Sequence, residues 1–481
     1  MIGRLSALLM GFEMCFARQA TFRWFVVAVM GFIVRLDRHG VSSSVRWLRV
    51  RPELYEAFLA FFRSKAVRLE SLLQQWQRLV AQRSALRTES GAFVLVGDGI
   101  KVAKEASRMP GVKKLHQESE NSGKPSWILG HHFGIVGLLG GTPDKVFCIP
   151  LAAELHEGAP ALRQLQAKKE PVVDGVDKST VVTLMAHLVK TAAMNLAAPC
   201  VAVLDAYFSV GSTFQIAKTL CAPGGQRLLH VVTRAKDNAV AYEDRPGEYG
   251  GRGRPRKHGR KMVLDELFST RKDCFKAVTL SLYDEVKTVS ILCLDRLWRP
   301  IDEKLRWVLV IDGEHRFILM CSDLMLSPVE ILRLYASRFK IEVTFKTIKH
   351  IMGGFLYHFW TSAWLELKGK SLSVEHLKGL PEKSKHLIAD AMTAIELFVN
   401  IALIATGMLQ ILAIEHTEQI RKRHCWWMRT YSSEVPSEEM VKTLIQHEFY
   451  HHFRFFRHTA IYRIIRAKAA ETGSDKLRMA A

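Results

Sequence analysis

Three acidic residues have the side chains and the sequence positions expected of a phosphoryl-transfer site that uses two metal ions. Asp98 and Asp205 each close a strongly apolar run, and Glu342 lies in a helix-forming segment. Two divalent cations about 3.5 to 4 Å apart can activate an attacking oxygen and stabilise a leaving oxygen on phosphorus. Carboxylate oxygens are ligands that suit Mg²⁺ and Mn²⁺. These three residues are therefore candidate catalytic residues and candidate metal ligands.

The segment around Glu342 reads YASRFKIEVTFKTIK and predicts a helix with one chemically distinct face. Tyr335, Arg338, Glu342 and Lys349 stand at offsets of 0, 3, 7 and 14 along it. At about 100° per residue they project from one narrow stripe, while apolar residues beside the stripe can dock the helix on a core. The alternative is an ordinary amphipathic helix whose charges form a solvated face.

This order and spacing of Tyr, Arg, Glu and Lys resembles the YREK signature of DDE transposases of the IS-four type. The resemblance covers about residues 90–350, with Asp98 in VGDG and Asp205 in VLDAYFS at the positions of the family's two aspartates. It implies that these aspartates and Glu342 form an acidic triad that binds two Mg²⁺ ions, for which Mn²⁺ can substitute.

The same resemblance implies a fold and a set of DNA contacts. The expected fold class is α/β, with an RNase H-like (retroviral integrase-like) core and a β-rich insertion between the second aspartate and the glutamate. The other three residues of the signature, Tyr335, Arg338 and Lys349, are implied to contact the transposon end.

The pattern of apolar residues divides the chain into segments. Helical spacing at both ends predicts helical regions, and short apolar runs from Ala92 onwards predict a sheet. If the runs ending at Asp98 and Asp205 are neighbouring parallel strands, both carboxylates emerge at the carboxyl ends of the strands. The predicted segments are a helical N-terminal DNA-binding or cap region at 1–88, the first part of the catalytic core at 89–206, a mostly β insertion at 207–326, the signature helix that completes the core at 327–365, and a helical basic C-terminal region at 366–481.

Five arginines lie between two apolar stretches of the N-terminal region, and they allow two interpretations. The region is either a module that grips DNA ends or a helical cap on the catalytic core with solvated arginines. These residues are Arg35, Arg38, Arg46, Arg49 and Arg51.

The charge of the chain favours a polyanionic partner. Sixty-eight Lys and Arg residues stand against 47 Asp and Glu, which gives a net charge of +21. Such a field attracts DNA, RNA or an anionic membrane surface. Arg234 and Lys236, at the end of a predicted strand, are candidate phosphate contacts. Arg252 and Arg254, in a basic loop at 251–261, resemble the core of an AT-hook, although a basic loop with nonspecific phosphate affinity is the alternative.

Other acids and apolar segments have simpler interpretations. Asp312 and Asp144 are expected in turns, and Asp237 on the surface.

The apolar segment Leu387–Ile414 is interrupted by polar residues, which favours a buried helix over a membrane span. Eight cysteines without a CxxC pair fit reduced thiols. We therefore expect no membrane partner and a cytoplasmic, nucleoid-associated location in a prokaryote.

Taken together, these features predict a DNA transposase. It is expected to cleave transposon ends and to transfer the 3′ hydroxyls into target DNA. The expected partners are DNA, both as transposon ends and as target, and a second copy of the chain in a homodimer on DNA. The alternatives are a domesticated RNase H-like nuclease or DNA-binding regulator without strand transfer, and a basic structural protein. In related enzymes an aromatic residue stacks on a flipped base, and no motif decides among Trp298, Trp307 and Phe317.

Overall fold

The computed structural model describes most of the chain, and every structural statement below concerns these residues. They are residues 1–83, 85–104, 109–117, 123, 125–142, 145–159, 179–244, 257–282, 285–364, 374–427 and 435–470.

Helices occupy both ends of the described chain, and the strands lie between them with three α-helices interspersed. The twelve strands are β1 (Phe93–Ala103), β2 (Lys113–His116), β3 (Trp127–Thr142), β4 (Lys145–Leu155), β5 (Cys200–Leu204), β6 (Leu229–Arg234), β7 (Val240–Tyr242), β8 (Lys261–Val263), β9 (Lys276–Leu282), β10 (Glu285–Trp298), β11 (Glu303–Asp312) and β12 (His315–Cys321). The fourteen α-helices are α1 (Ile2–Met10), α2 (Gln19–Val34), α3 (Gly40–Trp47), α4 (Tyr55–Arg63), α5 (Leu69–Arg83), α6 (Val181–Leu196), α7 (Gly211–Lys218), α8 (Leu267–Thr270), α9 (Pro328–Ala336), α10 (Lys340–Lys346), α11 (Glu382–Glu415), α12 (Thr417–Arg423), α13 (Glu438–His452) and α14 (Ala460–Lys468).

Five strands form the part of the sheet that carries the two aspartates. Their order is β4-β3-β1-β5-β6, with β3 antiparallel to both β4 and β1, and with β5 and β6 parallel to β1. The parallel strands consist of almost unbroken buried apolar residues, as expected where helices cover both faces of a sheet. The predicted neighbouring parallel strands are therefore present.

Alternate residues of β1 and β5 belong to two different hydrophobic cores. Leu95 packs in the core that contains α6, whereas Val94 and Val96 pack in the core that contains α9 and the start of α10. Because side chains alternate across a strand, every second residue after Val96 continues on the α9 and α10 side. Asp98 is two residues after Val96, and Asp205 is two residues after the buried Val203 of the same core. Both aspartates are therefore expected on the α9 and α10 side of the sheet.

The insertion extends the core sheet rather than forming a sheet of its own. Strand β12 pairs antiparallel with β6, and β11, β10, β7 and β8 follow outwards, with β9 paired to β10. The predicted β character of this region is confirmed by strands β7 to β12.

Helices from both ends of the chain pack together against β4. The long helix α11 contacts β4, α2, α4 and α13. The N-terminal amino group of Met1 pairs with the buried Glu448 at 2.6 Å. Within the described residues α11 is long and apolar enough to cross a membrane, but 94% of its most apolar window is buried inside the protein. The five segment boundaries stay predictions.

Candidate active site

Asp98 and Asp205 lie side by side on neighbouring strands. The parallel register pairs Gly97 with Leu204, so the next residue on each strand is one of the two aspartates. Asp205 directly follows β5, as predicted, but Asp98 lies in the middle of β1, which continues to Ala103. The expectation that Asp98 ends its strand is wrong, because β1 goes on pairing with β3 beyond the point where β5 stops.

Backbone contacts hold both aspartates in place. The amide of Gly99 donates a hydrogen bond to Asp98 Oδ1 at 2.7 Å. The hydroxyl of Thr233, on β6, donates to the carbonyl oxygen of Asp205 at 2.9 Å. The first contact orients the Asp98 carboxylate, and the second ties the backbone of Asp205 to β6.

The segment that carries Glu342 is not the single α-helix predicted from its spacing. It consists of α9, a 3₁₀ turn at Ser337–Phe339, α10, and a π-helical turn at Thr347–Met352. A π-helical turn inside a helix is rare and is frequent at functional sites. Thr344 on α10 donates a hydrogen bond to the carbonyl oxygen of Cys148 on β4 at 2.7 Å, which docks α10 on the sheet beside β1.

The three acids converge on one cation, the guanidinium of Arg338. Its Nη1 lies 3.2 Å from Asp98 Oδ2, its Nη2 lies 3.0 Å from Glu342 Oε1, and its Nε lies 3.8 Å from Asp205 Oδ1. Residues far apart in sequence therefore surround a single positive charge. Asp98, Asp205 and Glu342 thus each contact the same guanidinium, and their role as metal ligands stays a prediction.

Burial and charge both perturb this cluster. Desolvation, with smaller contributions from the charges of Asp205 and Glu342, raises the pKa of Asp98 to about 6, against the opposing effects of the Arg338 charge and the Gly99 amide. Burial by itself lowers the pKa of the Arg338 guanidinium, but Asp205, Asp98, Tyr335 and Glu342 together raise that pKa above its ordinary value. The site therefore favours a bound positive charge.

The donor set suits a hard divalent cation. Among the described residues, no group of three or more His, Cys, Asp and Glu side chains is spaced to hold a metal ion as it stands. At this site the guanidinium of Arg338 contacts all three carboxylates. Carboxylate oxygens that already surround a cation are the ligands preferred by Mg²⁺ and Mn²⁺, so the residues fit such an ion.

The remaining residues of the signature lie along the same segment. Tyr335 is half-buried at the end of α9 and acts electrostatically on Arg338. Lys349 is exposed on the π-helical turn. The stripe predicted from a uniform 100° step is therefore only approximate, because the 3₁₀ and π turns change the rotation per residue.

The other predicted DNA contacts have different outcomes. Arg234 ends β6, lies 3.8 Å from the exposed Asp237, and has its guanidinium 6.0 Å from the ring centre of Phe317. Lys236 is exposed just after it. Arg252 and Arg254, like the competing acid Asp144, lie outside the described residues.

The histidine pair on β3 has one fully buried member and one that faces Gly99. His131 is fully buried, and its Nδ1 lies 2.6 Å from the hydroxyl of Tyr357. His132 packs against Gly99, the neighbour of Asp98. The competing acid Asp312 closes β11 and pairs with His315 across a hairpin, as predicted.

The candidate aromatic residues of the insertion differ in accessibility. Trp307 is fully buried, and its Nε1 donates to the carbonyl oxygen of Arg296 at 3.2 Å. Trp298 lines a cavity of about 250 Å³ together with Lys236 and Tyr242. Among these side chains, burial removes Trp307 as a residue that can stack on a base.

Sequence reasoning did not foresee that N-terminal arginines support the segment carrying Glu342. The buried guanidinium of Arg35 donates to the carbonyl oxygens of Met352 and Gly353, at 2.5 Å and 3.1 Å. Arg38 donates to the carbonyl oxygen of His350. For these two arginines the structure favours the interpretation as a helical cap. The only signal in the sequence was the cluster of arginines itself, which does not name their partners.

Comparison with known proteins adds an independent observation. The profile of a family described as DDE superfamily endonuclease matches residues 11–291, more than half of the chain. The matched range contains Asp98 and Asp205 but ends before Glu342. A search of curated proteins finds no match.

Proposed function

The chain belongs to the family of DDE superfamily endonucleases, and from this premise we propose that it is a DNA transposase of the IS-four type. Enzymes of this superfamily act on DNA and generally use divalent metals. The proposed reaction is cleavage at the ends of the protein's own mobile element, followed by joining of the freed 3′ hydroxyls to target DNA. The substrate is therefore DNA at both steps.

One observation carries the proposal. Three carboxylates from β1, the end of β5 and α10 meet around a single guanidinium at 3.0 to 3.8 Å. The three carboxylates repel one another, and apolar residues at these positions would stabilise the fold better. A site that must bind cations during phosphoryl transfer gives this arrangement a physical reason.

The strand arrangement supports an RNase H-like core. The order β4-β3-β1-β5-β6, with an antiparallel first half and parallel β5 and β6, is the arrangement expected of that fold. In it the first acid lies on the central strand and the second on its parallel neighbour, which agrees with Asp98 and Asp205. Helix α10, which carries Glu342, packs on β4 and β1.

Each residue has a proposed role. Asp98, Asp205 and Glu342 hold two Mg²⁺ ions, with Mn²⁺ as a substitute. When bound, the ions would activate the attacking oxygen and stabilise the leaving oxygen. Tyr335 and Lys349 are proposed to contact the transposon end. The net charge of +21 supplies the general attraction for DNA.

Several phosphate contacts are proposed outside the signature segment. Arg234 and Lys236 lie at the end of β6, next to the strand end that carries Asp205. Arg252 and Arg254 are proposed to contact the minor groove or the phosphates. Because two transposon ends must be held together, we also propose a homodimer on DNA in the cytoplasm, which sedimentation of the protein with and without end DNA can test.

The central experiment uses the DNA that flanks the reading frame. Linear fragments carrying each flank are incubated with the purified protein, Mg²⁺ and a supercoiled target plasmid. We expect cleavage at the element ends and joined products in the plasmid. The Glu342→Gln variant should lose both activities by about a hundredfold or more, because several kcal/mol of transition-state stabilisation depend on the metal site. DNA binding should be retained.

A matched control separates the triad from other acids. Asp312→Asn alters an acid on the hairpin between β11 and β12, and it should leave both activities intact. Full activity of Glu342→Gln would contradict the proposal.

The alternative is a domesticated nuclease or a DNA-binding regulator. It is favoured by the description of the matching family, which names an endonuclease and not a joining reaction. Cleavage without joining would identify the nuclease. Binding to the flanking DNA with neither activity would identify the regulator.

A further inference from the structure

Given the proposed role of Asp98, Asp205 and Glu342 as metal ligands, on which this inference rests, we propose that Arg338 is a resident counter-cation that a divalent ion must displace. The guanidinium then becomes available to a phosphate of the bound DNA. Arg338 is thus a positioning residue that alternates between the carboxylates and the substrate.

The geometry of the guanidinium sets it apart from an ordinary surface ion pair. Its three nitrogens face three different carboxylates, at 3.2 Å, 3.8 Å and 3.0 Å. The contact with Glu342 is a local pair on one helical segment, which many helices have. The contacts with Asp98 and Asp205 are not local, and they require the packing of α10 on the sheet. A planar fork of donors is the group best able to satisfy several carboxylates at once.

Burial makes these contacts unequal. The side chains of Arg338 and Asp98 are only 19% and 20% exposed, whereas those of Asp205 and Glu342 are 40% and 56% exposed. Solvent and salt therefore weaken the contacts of Arg338 with Asp205 and Glu342 more than its contact with Asp98. The contact with Asp98 is the one that holds the guanidinium in place.

A metal ion and the guanidinium compete for the same oxygens. Asp98 Oδ1 already accepts from the Gly99 amide, and Oδ2 accepts from Arg338. Oδ2 would also be a ligand of a divalent ion, yet a guanidinium nitrogen already lies 3.2 Å from it. Two cations in contact repel each other strongly in a partly buried site. The guanidinium of Arg338 would therefore have to leave the carboxylates for them to hold an ion.

The position of Arg338 in the chain allows this movement. It lies in the 3₁₀ turn Ser337–Phe339 between α9 and α10, so its side chain begins at a break in the helix. Guanidinium groups pair with phosphate oxygens through two parallel hydrogen bonds. A phosphate near the metal site offers the displaced group a new partner of the same charge as the carboxylates.

Metal binding measures the competition directly. Full-length protein stripped with EDTA is titrated with Mn²⁺ by calorimetry, and its melting temperature is recorded with and without Mn²⁺. We expect Arg338→Gln to bind Mn²⁺ at least about tenfold more tightly than the wild type, because no cation has to leave. Its melting temperature without metal should be lower than that of the wild type, and Mn²⁺ should raise it more.

Two further variants define the comparison. Arg333→Gln removes an exposed arginine of α9, and it should bind Mn²⁺ like the wild type. Arg338→Lys keeps the charge but offers a point charge in place of a fork, so its affinity should lie between those of the wild type and Arg338→Gln. If Arg338→Gln does not fold, the comparison of Arg338→Lys with the wild type decides. Tighter Mn²⁺ binding by Arg338→Lys supports the inference, and equal or weaker binding overturns it.

The outcomes distinguish this inference from the proposed function. Equal or weaker Mn²⁺ binding by Arg338→Gln overturns the competition and leaves the transposase proposal standing. Failure of the wild type and of every variant to bind Mn²⁺ overturns both. If Arg338→Gln binds Mn²⁺ more tightly than the wild type, and the double variant Arg338→Gln, Glu342→Gln loses that gain, the result supports both the inference and the proposed function.

Discussion

Replacing Asp98 by Asn should stabilise the metal-free protein at neutral and alkaline pH. The Asp98 carboxyl is largely buried on β1, and burial raises its pKa from 3.8 to about 6 despite the nearby Arg338. A raised pKa means that the folded protein binds the proton more tightly than the unfolded chain does. The ionised carboxylate is therefore a cost to folding, which Asn, a neutral side chain of the same shape, does not impose.

The sign and size of the effect follow from this pKa. Below the unfolded pKa of 3.8, Asp98 is protonated in both states and its contribution to stability is fully present. As the pH rises through about 6, that contribution is lost. At about 1.4 kcal/mol for each pH unit between the two pKa values, the total is about 3 kcal/mol. Asp98→Asn should escape this loss, so it should be about 3 kcal/mol more stable than the wild type at pH 8.

Urea unfolding followed by tryptophan fluorescence in EDTA measures the difference. The wild type and Asp98→Asn are compared at several values between about pH 4.5 and pH 8, a range over which about 2 kcal/mol of the loss should occur. Asp237→Asn is the control, because that side chain is 95% exposed. An Asp98→Asn variant less stable than the wild type at pH 8 would refute the reasoning, since the ion pair with Arg338 would then outweigh desolvation.

Two other substitutions test how the helices are held together. Gly407→Ala should lower the free energy of unfolding by about 2 kcal/mol in urea titrations. The new Cβ would lie 2.3 Å from the Trp76 ring, and the cost of this overpacking is larger than the gain of about 1 kcal/mol in helix propensity. An unchanged midpoint would show that the ring can move. Arg35→Met should cost about 3 kcal/mol, because the carbonyl groups of Met352 and Gly353 lose charged donors, and it should slow DNA cleavage more than it weakens DNA binding. Equal cleavage rates for Arg35→Met and the wild type would show that this contact does not support the candidate active site.

The positions of the two aspartates were largely predictable. Apolar runs of strand length ending near Asp98 and Asp205 predicted neighbouring parallel strands, and the register of Gly97 with Leu204 agrees. The sequence could not fix where β1 ends, because its continuation depends on pairing with β3, which lies about thirty residues further along the chain. Local composition predicts a strand better than it predicts the length of its pairing.

The central place of Arg338 was not predictable from its spacing. A uniform helix puts Arg338 and Glu342 on one face, and it says nothing about the distance from either to β1 or β5. That distance depends on how α10 docks on β4, through the hydrogen bond from Thr344 to Cys148. The 3₁₀ turn at Ser337–Phe339 also has no Gly or Pro to announce it.

Arg35 shows why a cluster of arginines cannot be interpreted from charge alone. The segment carrying Glu342 ends at Gly353, which adopts the left-handed conformation with φ 63°. The end of a helix leaves carbonyl oxygens without partners, and the buried guanidinium of Arg35 satisfies two of them. The sequence could indicate that such oxygens need donors, but not that the donor is Arg35, the residue that follows α2. Because the family profile begins at residue 11, the matched region includes α2 and Arg35, and the contact of Arg35 with Met352 and Gly353 links these N-terminal residues to the segment that carries Glu342.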